Sequence, residues 1–246
     1  MSAARIGTRA TARNVPLTRQ AEDYLKVIYE MEQGGAPAAT TDIAGRLGIA
    51  AASVSGMLPR LARLGLVTVE RYRGARLTAP GRAAALQLIR RHRIIESFLV
   101  KRLGYGWDDV HVEAERLEHA VTAELIDRMA DALGNPSADP HGAPIPTSAG
   151  HVDERRLSSI ADLPVGTRAR VVRVSGRDPE FLRYMQKRGI VPGATVRVVA
   201  REPFDGPVTL TVGRTRQAIG AAAAGKVYVD WERGEKNQRN AVSGRR

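Results

Sequence analysis

The segment GNPSADPHGAPIPTSAG, Gly134–Gly150, separates two kinds of pattern. Before it, apolar residues recur every three or four positions, as on one face of a helix. After it, TRARVVRV, TVRVVAR and VTLTV are short runs rich in β-branched residues, the pattern of strands. One helical core cannot continue through such a change of period. The segment itself, dense in Pro and Gly, reads as a linker with little to bury. A helical N-terminal part and a small β-barrel-like domain, about Leu157–Trp231, are expected on either side.

Within the helical part, Thr18 opens a pattern with Ala21, Leu25 and Ile28 on one face, ended by Gly34-Gly35. Thr40 is a plausible cap for a short helix through Leu47, and Gly48 breaks it. A third helix is expected from about Ala52 to Leu64. LVTVERYRGARLT, Leu66–Thr78, then reads as a hairpin about Arg73-Gly74. Long helices are expected over Pro80–Leu103 and Asp108–Leu133. In the β domain, Pro192-Gly193 and Asp205-Gly206 mark turns. No internal repeat is present.

Helix, glycine turn, helix and hairpin form the order of a winged helix-turn-helix. Ile43, Ala44 and Leu47 would pack its first helix, and Val54, Leu58 and Leu61 its second. Small residues, among them Ala52, Ser53 and Ser55, open the second helix. They allow close approach to bases, and serine hydroxyls reach phosphates. Arg60 lies further along, and Arg71, Arg73 and Arg76 load the hairpin, where charge suits phosphate or minor-groove contact. The net charge of +12 is unevenly spread. Arg46–Arg93 holds ten arginines and one acid, whereas Asp108–Asp131 holds eight acids and two arginines. The first stretch suits double-stranded DNA and the second suits cations. The plainer alternative is a winged helix used only for protein contacts. Pro59 removes a bond to the Ser55 carbonyl, so a kink, or a recognition segment that is effectively Ala52–Leu58, is expected.

The chain has no cysteine. Disulfides, thiolate metal sites and cysteine nucleophiles are therefore excluded, and any metal must be held by oxygen and imidazole nitrogen. HVEAERLEH, His111–His119, supplies both. On a helix, Val110, Ala114, Leu117, Val121 and Leu125 form an apolar stripe, with His111, Glu115 and Glu118 beside it. His119 lies four residues after Glu115, so Glu115, Glu118 and His119 can converge on one ion. Glu113 and Arg116 point to solvent. The preceding helix interrupts an apolar stripe with His92 and Glu96, again four apart. A solvated acidic face and a satisfied core histidine are the competing readings. Asp23, in the first turns of its helix, also fits a helix-dipole role. His141, in the linker, receives no assignment.

The order of a winged helix, RRHRIIESFL, VHVEAERLEH and a β domain resembles the diphtheria toxin repressor family of bacterial metal-dependent transcription regulators. The resemblance covers about Leu17–Trp231. It implies a primary metal site of Asp23, Glu115, Glu118 and His119, and a second of His92, Glu96 and His111. It also implies an acidic ligand from the β domain, Asp178 or Glu180, with Asp178 preferred. Iron-responsive members carry Met and Cys where this chain has Asp23 and Glu115, so the chain resembles the manganese transport regulators. Carboxylate in place of sulfur favours a harder ion such as Mn(II), with Fe(II), Co(II) or Zn(II) as substitutes. Short manganese regulators have Glu where this chain has Lys26, which implies two separated sites rather than a tight pair. FLRYMQKRGIVPGATVRV resembles the SH3-like domain of ferrous-iron transport proteins.

The expected fold class is thus a mainly α part, winged helix-turn-helix plus helical dimerisation domain, followed by a small all-β SH3-like barrel. The expected divisions are a disordered basic tail (1–16), DNA-binding domain (17–80), metal-binding and dimerisation domain (81–140), linker (141–156), SH3-like domain (157–232) and disordered tail (233–246). The expected function is a cytoplasmic, manganese-dependent repressor. Mn(II) as corepressor would order a homodimer on palindromic operator DNA. The alternative within the family is an iron(II)-responsive repressor. A metallohydrolase is disfavoured because no independent nucleophile motif is present. A sensor of an organic small molecule is disfavoured because aromatic residues make up only 4%. No membrane role is expected, because no apolar run reaches the roughly 18 residues of a span.

Overall fold

A computed structural model describes residues 17–33, 35–70, 73–175 and 178–231. Contacts gather into two compact units, one through Ala85 and one from Leu86 onward.

In the first unit, α1 (Arg19–Glu32) begins where the Thr18 hydroxyl accepts from the Ala21 N–H at 3.3 Å. It buries Tyr24, Leu25 and Ile28. α2 (Thr40–Leu47) stops at Gly48, whose φ of 65° closes the helix in the left-handed region. α3 (Ala51–Arg63) follows. β1 (Val67–Glu70) and β2 (Gly74–Leu77) pair antiparallel, Val67 opposite Leu77. Ala38 adds a bridge to Ala75. A Cβ on Gly74 would lie 2.1 Å from the Ala38 carbonyl oxygen, and its φ is 112°. Only glycine lets the two backbones meet there. The α3 helix runs through Pro59 to Arg63, close to the expected end at Leu64. Val54, Met57, Leu58 and Leu61 bury on both sides of the proline, and the lost bond falls on the exposed face. Water can satisfy the Ser55 carbonyl there.

The division between units falls within α4 (Ala79–Leu103). In the second unit, α4 packs with α5 (Val110–Leu117) and α6 (Ala123–Ala132). Their core is Ile94, Ile95, Leu99, Val110, Ala114, Ile126 and Ala130. The single helix expected over Asp108–Leu133 is therefore two. Thr122 caps α6, its hydroxyl accepting from the Leu125 N–H at 3.2 Å, with Glu124 in the first turn. That local cap competes successfully with helix continuation.

The Pro/Gly-rich segment also departs from expectation. Ile145 joins the helical core and His141 is buried. The Arg93 guanidinium donates to the Pro144 carbonyl, and the Arg90 guanidinium to Pro146 at 3.1 Å. A Cβ on Gly142 would lie 1.9 Å from the Val172 carbonyl oxygen. Pro and Gly here allow close packing rather than looseness.

The β domain is one six-stranded antiparallel sheet in the order β3-β8-β4-β5-β6-β7. The strands are β3 (Ser158–Ser159), β4 (Arg168–Val174), β5 (Thr195–Arg201), β6 (Val208–Val212), β7 (Thr215–Ile219) and β8 (Val227–Asp230). A helix, α7 (Pro179–Lys187), connects β4 to β5, and a short α8 (Ala221–Ala224) precedes β8. Inward residues such as Val171, Val196, Val198, Leu210 and Val229 form the core with Leu182 and Met185 of α7. Trp107, from the loop after α4, packs against this core and donates its indole N–H to Gln186 at 2.8 Å.

Candidate metal centre

Helical spacing on α4 sets His92 and Glu96 one turn apart on a face whose neighbours, Ile95 and Leu99, are buried. α5 brings in His111. The result is a triangle of donor atoms. His92 Nε2 is 3.0 Å from Glu96 Oε1 and 2.9 Å from His111 Nδ1, and the third edge is 3.0 Å. Such a triangle is one face of an octahedron about 2.1 Å in radius, a normal distance for a first-row divalent ion with nitrogen and oxygen donors. These three residues fit a metal ion.

His92 has a second face. Its Nδ1 is 2.6 Å from Glu118 Oε2, and the other oxygen of Glu118 is 3.5 Å from His119 Nε2. Glu118 is the C-cap of α5 and His119 lies just beyond it. The four-residue helical spacing expected to join Glu115 to His119 is thus interrupted. Glu115 instead sits one turn from His111, with Oε1 at 3.2 Å from Nε2. Side-chain exposure separates these acids: 3% for Glu96, 2% for Glu118 and 46% for Glu115. Glu113, read as solvent-side, pairs with Arg116 at 3.2 Å.

Electrostatics hold the buried groups together. Burial pushes the Glu96 carboxyl up, but attraction to His92, hydrogen bonds with His111 and His92, and the nearby His141 imidazole hold it well below the usual range. Burial pushes the His111 imidazole down, but Glu115 and Glu96 outweigh it and raise it to about 9. At neutral pH His111 therefore keeps a proton that a divalent ion has to displace.

Two residues that sequence reasoning left in a linker border this centre. Asp139 and His141 form a third group of ligand-type side chains with Glu96. The signal was present in DPHG, Asp139–Gly142: an Asp that bonds backbone two residues on makes a turn, not a loose tether. Indeed Asp139 Oδ1 accepts from the His141 and Ala143 N–H groups at 2.8 and 2.9 Å.

Other expected residues fall elsewhere. Asp178 does not join the ligand groups among the described residues. It is exposed and caps α7, its Oδ1 accepting from the Glu180 N–H at 2.9 Å. Pro179 at the first helical position makes this the expected task of an Asp. Glu180 is likewise exposed. In the first unit, Asp23 is half-buried on α1, and Lys26, one turn on, is buried.

Ala52, Ser53, Ser55 and Arg60 are exposed on α3. The Ser55 hydroxyl donates to the Ala51 carbonyl at 3.1 Å. Arg76 Nε meets Glu70 at 3.1 Å and Arg73 lies 3.9 Å from the same carboxylate. One acid thus orders two hairpin arginines. Arg71 lies outside the described residues.

Comparison with known proteins gives three family matches along the chain. Residues 16–75 match the iron dependent repressor N-terminal DNA binding domain. Residues 78–147 match the iron dependent repressor metal binding and dimerisation domain, and residues 159–230 the FeoA domain. The chain is 34% identical over 204 residues to the iron-dependent repressor IdeR of Mycobacterium tuberculosis, covering 78% of this chain and 87% of that protein. It is 37% identical over 165 residues to the diphtheria toxin repressor of Corynebacterium diphtheriae, covering 67% and 70%. Among solved structures, a manganese-dependent transcriptional repressor in complex with manganese matches with a TM-score of 0.80 and 38% identity, covering 86% of this chain and all of that one. The manganese regulator SloR matches at 0.73 and 30%, covering 88% and all of that chain.

Proposed function

The chain belongs to the diphtheria toxin repressor family of metal-dependent transcriptional repressors, and on that premise we propose that manganese is the metal it answers to. The observation that carries this is the donor set. Every candidate ligand is a carboxylate or an imidazole, and no cysteine exists to supply a thiolate. Oxygen-rich sets suit harder ions, although Zn(II) and Co(II) bind such sets as well and geometry and supply complete the selection. A structural relative carries manganese in its name as its effector.

We assign the primary site to Asp23, Glu115, Glu118 and His119, and the second to His92, Glu96 and His111. Bound Mn(II) supplies the positive charge that lets the carboxylates of the primary site share one position. Asp23 then ties α1, and with it the winged helix, to the helices of the dimer. Glu118, hydrogen-bonded to His92 and 3.5 Å from His119, links the two sites. Lys26 stands where short manganese regulators have a further acid, which favours two separated ions over a tight pair.

The ordered homodimer presents two copies of α3 to successive major grooves of a palindromic operator, about 34 Å apart. Ala52, Ser53 and Ser55 approach bases, while Arg60, Arg73 and Arg76 contact phosphate. By linkage, operator DNA tightens metal binding by the factor with which metal tightens operator binding.

A second reading, an iron(II)-responsive repressor, is favoured by the naming of the mycobacterial relatives. Operator gel shifts at buffered free Mn(II) and Fe(II) separate the two. Activation by Mn(II) at the lower free concentration is expected, and the reverse order would assign the chain to iron. Operator binding that needs no metal at all would overturn both.

A further inference from the structure

We propose that the outer face of the β domain carries a second, sequence-independent contact for duplex DNA, a row of arginines running across β4, β5 and β7. It goes beyond the metal-controlled operator binding proposed above and rests on that reading only in taking DNA as the polyanion.

Strands β4 and β5 and the β6–β7 hairpin, Val208–Ile219, carry seven arginines and no acid. Two of the seven have other tasks. Arg201 donates to the Ile160 and Leu163 carbonyls at 3.3 and 3.0 Å, and Arg173 lies over the Tyr228 ring. Register sets three of the others in one line. Arg168 stands opposite Arg197, Arg197 opposite Thr211, and Thr211 opposite Arg216. Residues directly opposite in an antiparallel pair project from the same face. Their sequence neighbours Ala169, Val196 and Val198 bury in the core, so the arginines occupy the outer face. All three are exposed. Arg170 shares that face, opposite Thr195 on one side and Asp230 on the other. Asp230 is the one acid in the six strands.

Like charges directly opposite each other on a sheet are destabilising. Arg168 and Arg197 form such a pair, and their row contains no acid. Arg197 spends its Nε hydrogen on the Gly166 carbonyl, at 3.2 Å, and keeps its terminal N–H groups. Arg168, Arg170 and Arg216 have no salt-bridge partner among the described residues. An anion from outside the chain supplies the missing charge, and guanidinium groups suit the oxygens of phosphate. Neighbouring strands lie about 4.8 Å apart, so the row from β4 to β7 spans about 14 Å. One small anion cannot cover that distance. Duplex DNA can, with a charge about every 1.7 Å of axis and a major groove about 12 Å wide. A hollow of about 450 Å³ beside the row, bordered by Arg168, Arg170, Thr195 and Trp231, is open to solvent. It does not enclose a small ligand as a binding pocket does. The acidic stretch of a second copy is a weaker match, because its acids are engaged at home. Asp108 pairs with Arg183, Glu113 with Arg116, Glu124 with Arg128 and Asp127 with Arg90.

The test titrates the full-length protein, with Mn(II), against a labelled duplex of random sequence at several salt concentrations. Removing the three charges together, by Arg168→Gln, Arg197→Gln and Arg216→Gln, should lower the slope of log affinity against log salt by roughly 2 to 3. A fourfold rise in salt should then weaken the native protein about 40-fold more than the variant. Lysine at the same three positions keeps the charge and should keep most of the slope. An unchanged slope in the glutamine variant would overturn the proposal, as would lysine behaving like glutamine. Phosphate that displaces the duplex far better than chloride at equal ionic strength would also overturn it, since the face would then take a small anion. Loss of the dimer in the glutamine variant, with the slope intact, would give the row to a second copy instead. In the native protein, bound duplex should shield Arg168, Arg197 and Arg216 from phenylglyoxal, read by mass spectrometry. Equal modification with and without DNA would overturn the proposal, and this readout needs no variant. Operator binding is measured alongside. Metal-dependent operator binding with an unchanged slope removes only the arginine row. Metal-independent operator binding removes the metalloregulator reading, while a lowered slope still supports the row.

Discussion

The winged-helix unit and the metal centre both depend on charge, and they use it in opposite surroundings. At the hairpin, Arg73 is 78% exposed, and its partner Glu70 is 36% exposed. At the metal centre, His92, Glu96 and Glu118 are each 7% exposed or less. Exposed pairs are worth little, roughly 0–1 kcal/mol each, because water and salt screen them. Buried charges have no such screen, and removing one partner costs several kcal/mol. The first arrangement leaves arginines free to exchange a neighbour for a phosphate. The second makes each member depend on the rest, so that a proton or a metal ion decides the state of all of them.

The largest expected effect follows from that dependence. Glu118→Ala removes the group that joins His92 to His119 and should weaken manganese-dependent operator binding about 100-fold, near the upper end of ordinary site-to-site coupling. Anisotropy titration of labelled operator checks this. An unchanged manganese response would erase the contrast between the two regions.

Next is His92→Ala, which leaves Glu96 and Glu118 buried without the imidazole between them. We expect a loss of about 3–5 kcal/mol in the metal-free protein. Urea unfolding followed by circular dichroism measures it, and a loss below about 1 kcal/mol would mean that the cluster is hydrated and behaves like the surface.

At the DNA-binding unit the effects should be smaller and salt-dependent. Arg60→Ala should lower the slope of log affinity against log salt by about 0.9, one phosphate contact, for any DNA sequence. A sequence-specific loss with an unchanged slope would instead make Arg60 a base reader. The smallest effect concerns Asp178. Asp178→Ala should cost about 1 kcal/mol as a lost cap, with manganese affinity unchanged. A tenfold fall in that affinity would return Asp178 to the ligand set.

How far these residues could be read without a structure depended on range. His92 with Glu96, four apart on one helix, follows from spacing alone and meets at 3.0 Å, whereas the expected pairing of Glu115 with His119 does not form and Glu115 meets His111 at 3.2 Å instead. The Thr18 cap and the alternating cores of β4, β5 and β6 are equally local. Glu118 with His92 is different, because the partners are 26 residues apart and meet only where α5 ends. A Thr122 cap followed by Glu124 signalled that end, yet an apolar stripe running through it pointed the other way. At Pro59 the local penalty is offset by burial of Val54, Met57, Leu58 and Leu61 on both sides, and the helix continues to Arg63.

The sequence by itself determined the donor chemistry, oxygen and imidazole without sulfur, and the two periodicities that build a helical part and a sheet. Composition and spacing are sufficient for those because they act within a few residues. The tertiary structure alone decided that Asp139 and His141 lie beside Glu96. Their segment has the composition of a tether, and it becomes part of the centre because Ile145 buries in the helical core and Gly142 lets its backbone meet Val172. Long-range packing of that kind leaves no periodic trace in the chain, since it depends on surfaces that exist only once both halves of the unit have folded.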